Sequence, residues 1–152
     1  MRTATTTRGP RFHWEVRVPF SDTDRAGIVW WGNFLKYLEL AEDELYRSFG
    51  RPRSTLIGRG KIELPRTSIT CAYRSPAWFD DVLEVALGIE SMSDRRVQWA
   101  FEISQKADGK LVAEGVFETA FMVSDTLKGC EMPAEIRQLL TDGFAAIAER
   151  TA

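Results

Sequence analysis

Three features of the sequence predict an α+β fold in which an antiparallel sheet packs on one long helix. Apolar residues alternate strictly in three short stretches: Phe12, Trp14, Val16, Val18 and Phe20; Leu83, Val85, Leu87 and Ile89; and Val97, Trp99, Phe101 and Ile103. A period of two is the mark of half-buried strands. One stretch near the start has helical spacing instead, with Phe34, Leu38, Ala41, Leu45 and Phe49 three or four residues apart. The later strands are separated only by turn-length segments, residues 91–95 and Ala107-Asp108-Gly109-Lys110. Hairpins of that length join antiparallel neighbours, because a parallel crossover needs a dozen residues or more.

Taken in order, residues 1–11 are Thr- and Arg-rich without an apolar run, and read as a flexible tail ahead of a single domain at 12–152. The first strand covers residues 12–20 and puts His13, the only histidine, on its polar face with no second ligand for a metal. The helix follows over residues 33–49, closed by Gly50-Arg51-Pro52. Residues 51–60 are basic and turn-rich, and read as a loop. Residues 61–73 turn β-like, with Ile69, Cys71 and Tyr73 alternating, so Cys71 reads as a small buried hydrophobe. Two clean strands come next, then a third over 111–123 with apolar residues on both faces, as in a strand covered on each side or lying at a subunit interface. Pro133 opens a second, short helix over 134–150. One sheet on one helix leaves an edge strand and a face open, so a homodimer or homotetramer is expected.

Composition narrows the function. With 152 residues, 44% of them hydrophobic, the chain is the size of one domain. Its formal charge of -2 argues against a nucleic-acid binder, and no apolar run approaches a membrane span. Two cysteines outside any C-x-x-C pair argue against a disulfide framework or a metal site, leaving a cytoplasmic protein as the expectation.

The segment richest in chemistry is Ser21-Asp22-Thr23-Asp24-Arg25-Ala26-Gly27-Ile28-Val29-Trp30-Trp31-Gly32-Asn33. It holds carboxylates just ahead of a helix start, where unsatisfied N–H groups and partial positive charge can polarise a carbonyl. Acyl transfer is the matching reaction class, with Asp24 as nucleophile or general base. A turn or cap role for Asp24 is equally open on the motif alone, and Asp22 reads as the structural turn residue.

The run Asp22-Thr23-Asp24-Arg25-Ala26-Gly27-Ile28-Val29 with Asn33 at the helix start, Pro76-Ala77 with Asp80-Asp81-Val82-Leu83, and Val123-Ser124-Asp125 before Met132-Pro133 together resemble the hot-dog-fold acyl-CoA thioesterases of the 4-hydroxybenzoyl-CoA thioesterase type. The resemblance implies a sheet wrapped around the long helix, and an acyl-CoA substrate with no separate cofactor. It makes Asp24 the catalytic carboxylate and the backbone amide of Trp31, with Gly32 next, the donor to the thioester carbonyl. Asn33 is counted with the substrate-binding residues. Glu39, two turns along the helix, would reach the acyl portion, where a hydroxyl on an aromatic ring would suit it; a surface salt bridge is the plainer reading. Coenzyme A phosphates call for cations, with Arg95 and Arg96 first and Arg59 and Lys61 next, each of which also reads as a solvated surface residue. One departure matters: many relatives carry a Tyr-His pair where Trp30-Trp31 stand here, which points toward the aromatic-acyl branch. A hydratase on this fold would want a histidine near the helix. The reading from a different class is a non-catalytic acyl-CoA-binding or sensing module.

Overall fold

The computed structural model describes residues 9–152. Five strands form one antiparallel sheet in the order β1 (Phe12–Arg17), β4 (Val82–Met92), β5 (Arg96–Gln105), β6 (Leu111–Ala120), β3 (Arg66–Tyr73). A two-stranded ribbon, β2 (Ile62–Glu63) with β7 (Met122–Val123), sits apart from it. Helix α1 (Asn33–Ser48) lies on the sheet, and α2 (Ala134–Thr151) closes the chain with 18 residues against 16 in α1.

Register explains the core. Trp14 faces Val85 and Val16 faces Leu83 across β1 and β4, while Leu87 faces Phe101 and Ile89 faces Trp99 across β4 and β5. These residues share one face, as the alternation predicts, and α1 buries Phe34, Leu38, Ala41 and Leu45 in the same core cluster. Each large side chain so buried contributes roughly 1.5–3 kcal/mol. Helix α2 covers the far end: Phe144 meets the Phe49 ring edge-on at 5.4 Å and lies 6.3 Å from Trp99. Gly115 in β6 has no room for a methyl, which would overlap the Thr70 carbonyl of β3.

Several boundaries differ from the sequence reading. The first strand stops at Arg17, and after Pro19 a single 3₁₀ turn over Phe20–Asp22 takes Phe20 out of the alternation. Phe20 is 75% exposed and meets Phe79 edge-on at 5.7 Å. The expected strand over 61–73 breaks at Pro65 into β2 and β3, because proline offers no ladder donor. The strand over 111–123 splits into β6 and β7. Trp78, on the segment between β3 and β4, is half exposed and lies over Gly27. Most of the expected tail falls outside the described residues; its last member, Arg11, pairs with Glu102 at 2.7 Å. No helix among the described residues is long and apolar enough to cross a membrane.

Strand β3 is an edge of the main sheet, and its first five residues are exposed. Ile69 and Tyr73, which the alternation assigns to the core face, are 43% and 48% exposed because no strand among the described residues pairs beyond that margin.

Candidate active site

The loop between β1 and α1 is a tight hairpin. Thr23 bridges to Val29, the Asp24 N–H donates to the Ile28 carbonyl at 2.8 Å, and the Gly27 N–H donates back to the Asp24 carbonyl at 3.0 Å. Gly27 has φ +83°, a backbone conformation that glycine reaches without strain. The far side of the loop is stitched to the segment between β3 and β4, through Val29 N–H to the Ala77 carbonyl at 2.8 Å and a bridge from Ile28 to Trp78.

Asp24 is exposed, and its Oδ1 accepts the Ala26 N–H at 2.8 Å. That is the turn role which the motif alone left open. The other oxygen, Oδ2, has no hydrogen-bond partner among the described residues. The turn role and a chemical role are therefore compatible: one oxygen fixes the side chain while the other is left free. Helix α1 starts without a side-chain cap, its cap position being Gly32 at φ −71° and ψ −22°. The N–H groups of Trp31 and Gly32 have no partner among the described residues.

Asp24 and Trp31 line one cavity of about 520 Å³, whose other walls include Ile28, Phe34, Tyr73 and Pro76. Gly32 is not among its walls. Tyr73 closes the cavity from β3, its hydroxyl donating to the Trp31 carbonyl at 3.1 Å and its ring 5.7 Å from that of Phe34. Burial pushes the Tyr73 phenol up, so it is the protonated hydroxyl that donates. The cation on this cavity is Arg74, 3.5 Å from Glu114, which the sequence reading missed. Its signal was its place one residue past an exposed edge strand, which only topology reveals.

Asp22 differs from Asp24 in every respect. It is buried, its Oδ2 accepts the Tyr37 hydroxyl at 2.8 Å, and its Oδ1 is paired with Lys36. Burial first, then the hydrogen bond and charge of Asp22, raise the Tyr37 phenol well above the usual range, so it donates at any ordinary pH. Asn33 Nδ2 donates to the Asp22 carbonyl at 2.8 Å, so this side chain is engaged within the loop.

The remaining site residues lie away from the Asp24 cavity within one chain. Glu39 lines a second cavity of about 510 Å³ between α1 and β3, with Lys36, Arg53, Arg66, Ile69 and Phe117 among its walls. It stands 3.5 Å from Arg53, which is held more closely by Asp43 at 2.7 Å. Arg66 pairs with the fully buried Glu42 and stacks over the Phe117 ring at 4.6 Å. Helical charge spacing did not mark Glu42 as buried, because it reads like its solvated neighbours. Lys61 donates to the Thr55 carbonyl at 2.9 Å beside a third cavity. Arg96 lies 3.3 Å from Glu118, whereas the side chains of Arg95 and Arg59 have no ion-pair partner among the described residues.

With this geometry established, likeness to known proteins becomes informative. A family model described as the thioesterase-like superfamily matches residues 18–140. The chain belongs to that superfamily. An Aquifex aeolicus protein provisionally named an esterase is 31% identical over 86% of this chain and 98% of its own. A 4-hydroxybenzoyl-CoA thioesterase from a Pseudomonas species is 28% identical over 82% of this chain and 94% of its own. Among solved structures, a 1,4-dihydroxy-2-naphthoyl-CoA thioesterase from Synechocystis superposes with a TM-score of 0.80 at 26% identity, covering 87% of this chain and 96% of that one. The hot-dog arrangement expected from the motifs is thus borne out, as is the resemblance to the 4-hydroxybenzoyl-CoA thioesterase type.

Proposed function

We propose that this protein hydrolyses the thioester of an aryl- or medium acyl-CoA to a carboxylic acid and free coenzyme A. The observation that carries the reading is the placing of Asp24 and Trp31 on the walls of one largely apolar cavity, where one Asp24 carboxylate oxygen and the Trp31 backbone amide have no partner among the described residues. Membership of a thioesterase superfamily supports it. Two of the relatives act on hydroxyaryl acyl groups by name, which favours an aromatic acyl chain here.

The thioester carbonyl oxygen accepts from the Trp31 N–H, where the positive end of α1 stabilises the charge that develops on it. Asp24 Oδ2 attacks the carbonyl carbon, or takes a proton from a water that attacks instead. The C–S bond then breaks, its electron pair leaves with sulfur, and a proton delivered through water completes the thiol. On the first route water hydrolyses the mixed anhydride; on the second the acid forms directly. No metal or further cofactor enters either route. Arg95 and Arg59, whose charges have no ion-pair partner among the described residues, are available to the coenzyme's phosphates, and Arg74 stands at the cavity wall.

The reading includes a homodimer or homotetramer, supported by the open β3 edge and by the exposed Leu35, Leu40, Ile69 and Tyr73. It also includes a cytoplasmic location, where the two free thiols, Cys71 and Cys130, would persist.

The test is thiol release from a panel of aromatic and aliphatic acyl-CoAs by the wild type and by Asp24→Asn. Turnover by the wild type that falls at least ~10³-fold in the variant is expected. Binding across the panel without hydrolysis by the wild type would replace the enzyme with an acyl-CoA-sensing module.

A further inference from the structure

The side chain and carbonyl of Asp22 make four contacts that join the two ends of the catalytic loop. On the loop side, its carbonyl accepts the Trp30 N–H at 2.9 Å. On the helix side, the same carbonyl accepts Asn33 Nδ2 at 2.8 Å, while the carboxylate takes the Tyr37 hydroxyl at 2.8 Å and the Lys36 ammonium. Asp24 lies two residues beyond this junction, and Trp31 lies between Trp30 and Asn33, both of which Asp22 holds. Asp22 is buried and is not among the walls of the cavity that Asp24 and Trp31 line.

We propose that Asp22, together with the Tyr37 hydroxyl, is the positioning residue of this site: it clamps the loop onto the first turn of α1 and so fixes Asp24 against the helix-start amide. The inference rests on the thioesterase reading. Its physical basis is that the hairpin ladder and the bonds to Ala77 and Trp78 tie the loop to itself and to the segment between β3 and β4, whereas the contacts of Asp22 tie its base to the first turn of α1. A buried carboxylate with every contact satisfied is a stiff stop, because moving it would strand a charge away from water. Misplacing reacting groups by about an ångström can cost ~100-fold in rate.

The test compares Tyr37→Phe and Asp22→Asn with wild type on whichever acyl-CoA the wild type turns over best. As a control, Leu140→Ala opens a cavity at a fully buried position in α2, an element that contributes no residue to the Asp24 cavity. The expected result is a fall of ~10-fold or more in kcat for Tyr37→Phe with KM within about twofold, and a larger fall for Asp22→Asn. Leu140→Ala should lose at least as much thermal stability and keep kcat within about twofold. Tyr37→Phe removes a single hydroxyl from a packed ring, so it should fold even if Asp22→Asn does not. Wild-type kcat in a folded Tyr37→Phe would overturn the proposal, as would a parallel fall of kcat and stability across all three variants. A wild type that hydrolyses no thioester would refute the function instead, and is told apart by that result alone.

Discussion

The two cavities flanking α1 are nearly equal in size, about 520 Å³ on the Asp24 side and about 510 Å³ on the Glu39 side, yet the first has unpaired polar groups beside its Arg74–Glu114 pair while the charges of the second are all paired. Around Glu39 the charges neutralise one another: Arg53 with Asp43 and Glu39, Arg66 with Glu42, Lys36 with Asp22. Around Asp24 a carboxylate oxygen and a backbone amide are left without partners among the described residues. Pairing marks the charges that hold α1 against β3; its absence marks those available to a substrate. Volume alone would not separate the two.

The sharpest way to break this contrast is to substitute one group on each side. Asp24→Asn should lower kcat at least ~10³-fold, about 4 kcal/mol of transition-state stabilisation, and leave the melting temperature almost unchanged because an exposed side chain is altered. Arg66→Met should do the reverse. It strands the Glu42 carboxylate, which is 0% exposed, with only Arg53 at 3.7 Å, and the loss of a partner from a buried pair costs on the order of 3 kcal/mol. Chemical denaturation is expected to show that loss, while kcat at low temperature stays within a few-fold. If Arg66→Met abolished turnover in a still-folded protein, the two cavities would not divide the labour in this way.

Alkaline pH tests the shared core between them. Burial is the main cause that raises the phenols of both Tyr37 and Tyr46 above the ordinary tyrosine value. A group whose folded pKa is raised stabilises the fold fully below its unfolded pKa and loses that contribution as pH climbs toward the folded value. Stability should therefore hold up to about pH 10 and fall above it, by about 1.4 kcal/mol per tyrosine for each further pH unit. Tyrosinate absorbance and far-UV circular dichroism should change together; ionisation of these two rings well before unfolding would contradict their burial.

The sheet was readable from sequence where one face is buried and the other wet, since that is the condition under which side chains alternate. Phe12, Trp14 and Val16 and the strands at 82–92 and 96–105 meet it. Phe20 continues the alternation in sequence and leaves it in space, because Pro19 and the 3₁₀ turn act on the backbone, which periodicity does not see. Ile69 and Tyr73 alternate correctly and are half exposed, because what covers an edge is not encoded in the edge's own pattern. At the site, Asp24 and Trp31 were legible because they are neighbours in sequence and α1 begins between Trp31 and Phe34. Tyr73 and Arg74 were not, since they arrive from β3, some 40 residues away. Glu42 was hidden by chemistry: a glutamate among Glu39, Asp43 and Glu44 reads as solvated until Arg66 from another strand is seen beside it.

The smallest expected effect sharpens the contrast most, because it asks whether the paired cavity ever meets substrate. Glu39 is the loosest member of its network, exposed and 3.5 Å from an arginine that Asp43 holds at 2.7 Å. An exposed pair of that kind is worth no more than about 1 kcal/mol to the fold. In one chain Glu39 and Asp24 line different cavities. In the proposed homodimer, an antiparallel pairing of two β3 edges would reverse one strand against the other, and would bring the end bearing Arg66 and the Glu39 cavity of one copy alongside the end bearing Tyr73 and the Asp24 cavity of its partner. Glu39→Gln should then raise KM for a hydroxyaryl-CoA about 5- to 10-fold, or about 1–1.4 kcal/mol, the charge-assisted part of a hydrogen bond that the Gln amide oxygen would still accept, and leave KM for the same ring without its hydroxyl unchanged. Equal KM shifts for both acyl groups would assign Glu39 to the fold's ion-pair network alone, and confine substrate to the side of α1 where the unpaired groups are.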